Sequence, residues 1–184
     1  MPRPTLLLVT GLPGSGKTRV AEAVAHDLRA AVVGHDWVMA ALRAQPELWE
    51  TMQTFDRVRF RTVGWSIMWN IAAAQLRAGR SVILDGVARQ PEVSRTRDVA
   101  KSCDAFLFVV LCTIDDADLH KQRIDERIRA IPGWPELTWL DVQRSRDGWQ
   151  PPTDVDLFLA AHESFDANLA AARAAIGLDS SSGR

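Results

Sequence analysis

Cysteine is scarce in this 184-residue chain: there are two, Cys103 and Cys112, and they flank the run 104–111. Read as a strand, that run holds the thiols about 30 Å apart at roughly 3.3 Å per residue, whereas a disulfide needs Cα atoms within about 7 Å. An internal bridge is excluded on that reading, and free thiols suit a reducing cytosol. Long apolar runs are missing too. The longest, residues 106–112, is far short of the ~20 residues that cross a bilayer. Near the start, residues 6–9 are apolar but glycine follows at once, so no signal peptide is expected and the chain reads as cytoplasmic. Charge of one sign is also lacking. The 22 basic and 23 acidic residues leave a formal charge of −1, and no overall positive field draws the protein to nucleic acid or membrane. Lysine is nearly absent, with three against 19 arginines; the arginine fork suits phosphate. None of the four histidines has metal-ligand spacing, and no Ser-His-Asp or Cys-His pairing is legible.

What is present describes one ordinary globular domain. Hydrophobic residues make up 47% and charged residues 24%. Residues 5–10 form a short apolar stretch without alternation, the mark of a strand buried on both faces. A glycine-rich loop and a helix over 19–29 follow, then a strand over 30–34 that ends at His35-Asp36. A long helix is expected over 55–78, striped by Trp65, Met68, Trp69, Ala72 and Leu76 and ended by Gly79. Strands over 81–85 and 105–112 enclose a helix over 91–102 with Pro91 in its first turn. A charged helix is expected over 115–129, and Gly133-Trp134-Pro135 breaks the chain. A helix over 138–147 follows, with Thr138 and Asp141 as a capping pair. A fifth strand over 155–160 and a closing helix over 165–176 complete the pattern, and 179–184 reads as a frayed tail. Alternating strands and helices give a five-stranded parallel sheet sandwiched by helices, one α/β domain over 1–178. The ligand crevice then lies at the carboxyl ends of the strands, where Gly11, Asp36, Asp85 and Cys112 fall.

Gly11-Leu12-Pro13-Gly14-Ser15-Gly16-Lys17-Thr18 matches the Walker A pattern at every fixed position, between an apolar strand and an amphipathic helix. Gly14 and Gly16 let successive N–H groups converge on phosphate oxygens. The start of the helix adds its unpaired N–H groups and positive dipole end. Lys17 brings a mobile charge to the β- and γ-phosphates, and the Thr18 hydroxyl suits Mg²⁺. ATP with Mg²⁺ is the expected ligand, held by Gly11, Pro13, Gly14, Ser15, Gly16, Lys17, Thr18 and Arg19.

The acceptor side is read from other strand ends. Asp36 would face the γ-phosphate and take the proton of an acceptor hydroxyl; the alternative is a helix cap for residues 37–43. Asp85 suits the Mg²⁺ hydration shell or the acceptor, against a simple strand-end turn with Gly86. Trp37 and Arg89 are placed as substrate contacts, and Trp134 and Trp139 as further stacking candidates. Arg123 and Arg127, four apart, would share a helix face and clamp the triphosphate, with solvation as the alternative. Arg57, Arg59 and Arg61 alternate and read as a solvated helix start.

Together, Gly11 to Thr18, Asp36, Asp85 and the Arg123/Arg127 pair resemble small P-loop kinases. The polynucleotide kinase-like "AAA family ATPase" proteins and chloramphenicol phosphotransferase are the nearest groups. The resemblance covers about residues 5–175 and implies a P-loop NTPase fold of kinase type. It implies Asp36 as base for the acceptor hydroxyl and Arg123 and Arg127 in a helical lid, about 115–149. The chain departs from polynucleotide kinases at Met39, where they carry a phosphate-gripping Arg; Arg43 is the next basic residue. The apolar stretch 37–42 suits an uncharged small acceptor. The expectation is therefore phosphoryl transfer to a hydroxyl of a small molecule. The alternatives are a 5′-hydroxyl nucleic-acid or nucleotide kinase, which needs Arg43, Arg57, Arg59 and Arg61 to converge, a zeta-toxin-like kinase acting on a nucleotide sugar, and a nucleotide-dependent switch.

Overall fold

The computed structural model describes residues 3–178; the tail expected at 179–184 lies outside the described residues. Five strands form one parallel sheet: β1 (Thr5–Thr10), β2 (Ala31–Gly34), β3 (Val82–Asp85), β4 (Phe106–Thr113) and β5 (Leu157–Ala160), in the order β2-β3-β1-β4-β5. Successive side chains on a strand point to opposite faces. Leu6, Leu8 and Leu84 accordingly join one core, whereas Leu7, Val9 and Ile83 join the other. The first core is closed by α4 (Arg57–Arg77) and α5 (Gln90–Ser102), the second by α1 (Lys17–Leu28) and α8 (Phe165–Ala175). Both faces being covered explains why the strands are continuously apolar.

The remaining helices are α2 (His35–Arg43), α3 (Pro46–Gln53), α6 (Ala117–Asp125) and α7 (Trp139–Asp147). The expected long helix over 55–78 starts later, at Arg57, because the Asp56 carboxylate accepts the Arg59 amide at 2.8 Å and caps it there. A separate helix, α3, precedes it with Pro46 in its first turn, where the pattern suggested no element. The Thr138–Asp141 capping box is present as expected. Cys103 and Cys112 are free. Among the described residues no helix is long and apolar enough to cross a membrane.

The charged helix expected over 115–129 ends at Asp125. Beyond it the chain turns so that Arg127 and Arg129 reach Asp36, and Ala130 takes a left-handed conformation at φ 51°. The Glu136 carboxylate accepts the backbone amides of Arg129 and Ala130 at 2.8 and 2.9 Å, which holds the turn. These tertiary partners stop a helix that local periodicity would have continued.

Candidate active site

The loops after β1, β2 and β3, the segment 126–138 and side chains from α4 and α6 converge at the carboxyl end of the sheet. At Gly11, φ is 145° and an added Cβ would run into the Cys112 carbonyl oxygen, so only glycine lets β1 turn off here beside β4. Gly16 precedes α1 at φ 90°. The resulting loop aims the first amides of α1 outward, the arrangement that binds anions. Lys17 is 6% exposed, and the Thr18 hydroxyl donates to Asp85 Oδ2 at 2.8 Å across to the end of β3. The loop is braced from outside by α6. His120 Nε2 donates to the Pro13 carbonyl at 2.6 Å, and its ring meets Trp139 edge-on at 5.2 Å. Burial lowers the His120 pKa, with the Pro13 hydrogen bond opposing, so the ring is neutral at pH 7.

Two cavities meet at this loop. One, of about 520 Å³, lies over the loop and is lined by Gly14, Gly16, Lys17, Thr18, Arg123 and Arg127. The other, of about 350 Å³, is lined by Asp36, Asp85, Arg57, Arg61, Arg89 and Trp134 among others. Lys17 and Arg129 belong to both walls. A third hollow of about 250 Å³ lies on the far side of the loop, between Arg19, Arg123 and the β5–α8 turn. Arg19 stacks on the Phe165 ring at 3.7 Å, and Arg123 Nη2 donates to the Ala161 carbonyl at 2.9 Å.

Asp36 lines the second cavity. It does not cap α2: that helix begins one residue earlier, with Gly34 at its N-cap. Its carboxylate instead pairs with Arg129 and lies 3.8 Å from Arg127. Burial lowers the Arg127 pKa, then repulsion from Arg129, with Asp36 opposing. Several buried polar atoms at the site have no partner among the described residues: Ser15 Oγ, Asp85 Oδ1, Arg127 Nη1 and Trp134 Nε1. Buried polar groups are nearly always satisfied, so this concentration marks a place built for a polar ligand.

Most expected residues assemble. Gly14, Gly16, Lys17, Thr18, Arg19, Arg123 and Arg127 line the loop cavity, and Asp36, Asp85 and Arg89 the second one, which Pro13 also borders. Three expectations change. Arg123 and Arg127 meet at the loop cavity, although α6 ends at Asp125 and they share no helix face. Trp37, 54% exposed, borders the loop cavity and is absent from the walls of the second. Arg57 and Arg61, read as solvated, are one turn apart on α4 and line the second cavity. Arg59, between them, stacks on Phe55 at 3.9 Å, and Arg43 lies over Trp49 at 5.8 Å. Of the stacking candidates, Trp134 lines the second cavity whereas Trp139 packs on His120.

Arg129 and His35 were not singled out in the sequence. Arg129 sat in a run of alternating charges, and only the turn after α6 brings it to Asp36. His35 lines the second cavity, and α4 approaches it through Gly64, where an added Cβ would lie 2.7 Å from Nε2. Burial lowers the His35 pKa more than Asp36 raises it, so the imidazole is neutral at pH 7.

The fold recurs in solved kinases. The APS kinase of Mycobacterium tuberculosis, in complex with AMPPNP and APS, aligns over 96% of this chain and 99% of its own, at 22% identity and a TM-score of 0.69. A sugar kinase from Janibacter aligns over 96% of both chains at 19% identity and 0.66. A gluconokinase from Sinorhizobium meliloti aligns over 97% of this chain and 98% of its own, at 17% identity and 0.62. At such identities the likeness is one of fold, that of the P-loop kinases. Among curated proteins, a UPF0200 protein of Aeropyrum pernix is 34% identical over 92 residues, 47% of this chain and 48% of that protein; the chain spans about half the length of that relative. The family model described as AAA domain matches residues 6–148, the stretch that carries β1 through α7 and with it the glycine-rich loop, Asp36, Asp85 and the arginines of 126–138. The chain belongs to the AAA domain family.

Proposed function

We propose that this protein is an ATP- and Mg²⁺-dependent phosphotransferase that moves the γ-phosphate to a hydroxyl of a small molecule, with Asp36 as general base. The observation that carries the reading is the position of Asp36. Its carboxylate lines the second cavity, and Lys17 and Arg129 form the wall common to both cavities. The triphosphate lies along the glycine-rich loop, its base toward the hollow at Arg19, Arg123 and Phe165, and its γ-phosphate at the common wall. An acceptor hydroxyl in the second cavity gives its proton to Asp36 as its oxygen bonds to the γ-phosphorus. The bond from that phosphorus to the β,γ-bridging oxygen breaks, and ADP leaves. Lys17, Arg127 and Arg129 stabilise the charge spread over the transferring group.

Thr18 and Asp85 fit an Mg²⁺ site. Their oxygens are already in contact, and buried Asp85 Oδ1 has no other partner among the described residues. When bound, the ion neutralises β- and γ-phosphate oxygens. Segment 115–149 acts as a lid in this reading. Arg127 and Arg129 contact Asp36, and a bound phosphate competes with Asp36 for them in this reading. Equal hydrogen exchange across 126–138 with and without AMPPNP would count against lid closure.

The test of the reaction is transfer from γ-labelled ATP with Mg²⁺ to pooled small hydroxyl compounds and to a 5′-hydroxyl oligonucleotide. Wild type is compared with Lys17→Ala and Asp36→Asn. Label entering a small molecule, with Lys17→Ala inactive and Asp36→Asn reduced about 10²–10⁴-fold, supports the reading. Label entering the oligonucleotide alone moves the reading to a nucleic-acid kinase. Slow hydrolysis unchanged by Asp36→Asn, with no labelled product, supports a nucleotide-dependent switch instead.

A further inference from the structure

The far wall of the second cavity is cationic. Helix α2, which carries the candidate base in its first turn, presents Met39 there, buried and apolar. The positive charge arrives from two other places. Arg57 and Arg61 come from the first turns of α4, and Arg89 from the N-cap of α5. Arg61 is paired with Glu92 at 3.0 Å. Arg57 and Arg89 make no ion pair among the described residues. The three guanidinium groups lie close enough that burial and then repulsion from Arg61 lower the Arg89 pKa, with Glu92 opposing and Arg57 adding to the repulsion. The three guanidinium groups thus cluster at one end, with Glu92 the partner of Arg61, in a pocket that Asp36 and Asp85 also line and whose other walls include Phe55, Phe60 and Trp134. Arg89 is half-buried and Arg57 exposed at the cavity mouth; a half-buried cation without a counter-charge is costly. Arginine forks held together in a cavity are a recognised means of taking up an anionic group.

We propose that the acceptor is a small hydroxyl compound bearing an anionic group, a phosphate, sulfate or carboxylate, which Arg57 and Arg89 hold while its hydroxyl faces Asp36. This rests on the phosphotransferase reading and supplies its substrate class; it replaces the uncharged acceptor that the apolar stretch 37–42 suggests. A cavity of about 350 Å³ is of small-molecule size. A nucleic-acid end would need a basic track leading outward, and the nearby Arg43 and Arg59 are instead stacked on Trp49 and Phe55. The anion would also neutralise Arg57 and Arg89.

The test is binding to the full chain with the nucleotide site filled by AMPPNP and Mg²⁺, so that anions cannot report on the glycine-rich loop. Titration calorimetry compares glycerol 3-phosphate, gluconate and a sulfated sugar with glycerol and sorbitol, and transfer from labelled ATP is run on the same compounds and on a 5′-hydroxyl oligonucleotide. At least one anionic alcohol is expected to bind and be labelled, with no labelling of the neutral pair. Arg57→Gln and Arg89→Gln should each raise its Kd about 5–30-fold and leave that for AMPPNP unchanged. Arg95→Gln, an exposed α5 residue 4.0 Å from Asp98, should change neither. Which anionic group binds best distinguishes phosphate, sulfate and carboxylate sources. The proposal is overturned if neutral polyols are labelled as well as the acids, if only the oligonucleotide is labelled, if no anionic probe binds the AMPPNP-loaded protein, or if both arginine variants bind like wild type. Failure to bind AMPPNP at all would instead remove the phosphotransferase reading beneath it.

Discussion

Glu92 is the carboxylate that binds the cationic wall directly, and replacing it by glutamine tests whether that wall is assembled as described. Its residue is 4% exposed. Oε1 accepts from Arg61 Nε at 3.0 Å and Oε2 from the Arg89 amide at 2.8 Å. A glutamine keeps one oxygen and sets an NH₂ donor against the other N–H. The variant loses a charge-assisted hydrogen bond, leaves one donor unsatisfied, and removes the negative charge that opposes the crowding of Arg61 and Arg89. A hydrogen bond to a charged group contributes about 1.5–3 kcal/mol, and a buried unpaired donor costs at least as much as the low end of that range. Partial solvation of Arg61, whose side chain is 20% exposed, pulls the sum down to about 2–3 kcal/mol. For a chain of this size that lowers Tm by roughly 5–10 °C. Thermal unfolding followed by circular dichroism measures it. Arg61→Gln and the double variant complete a cycle whose coupling should be about 1–2 kcal/mol. A Glu92→Gln Tm within about 2 °C of wild type, the scatter of an ordinary surface substitution, would refute the argument.

Other groups carry equally definite expectations. Burial pushes the Cys112 thiol up to about 12, so at pH 8 its thiolate fraction is on the order of 10⁻⁴; mass spectrometry after iodoacetamide treatment of the native protein should find it unmodified, and rapid labelling would contradict its place under the glycine-rich loop. The hydrogen bond from Arg173 lowers the Asp27 pKa, so its stabilisation is present above the ordinary carboxylate pKa and is lost as pH falls through the lower folded value. The Tm gap between wild type and Asp27→Asn should therefore be full at pH 6–7 and close below about pH 4; a gap independent of pH would argue against the ion pair. Glu136→Ala removes the acceptor of the Arg129 and Ala130 amides, and hydrogen exchange at those two positions should quicken by roughly tenfold or more; unchanged exchange would mean that the turn is held by something else.

Most of the scaffold is legible without coordinates because it depends on short-range chemistry. An apolar stretch ended by Gly11 must be buried, and Gly14 and Gly16 before Lys17-Thr18 specify a loop whose amides face outward. The spacing of Trp65, Met68, Trp69, Ala72 and Leu76 specifies one helix face turned to the core; four are buried and Trp69 is half-buried. Thr138 and Asp141 cap a helix wherever they sit three apart at its start. These features need no knowledge of distant residues, and they suffice for five parallel strands, two covered faces and a phosphate-binding loop.

What the linear pattern left open is decided by residues far apart in sequence. Helix α6 stops at Asp125 because Arg127 and Arg129 find Asp36, some 90 positions away, and Glu136 holds the turn; helical propensity alone would have carried on. Arg57, Arg61 and Arg89 form one wall only because α4 and α5 pack on the same face of the sheet, which places a helix start beside the end of β3. Trp37, next to Asp36 in sequence, faces the other cavity, since neighbours on a helix point about 100° apart. Local sequence thus determined the phosphate loop and the sheet that presents it, whereas the charge of the acceptor cavity was decided by tertiary packing, because electrostatic neighbours are set by distance in space.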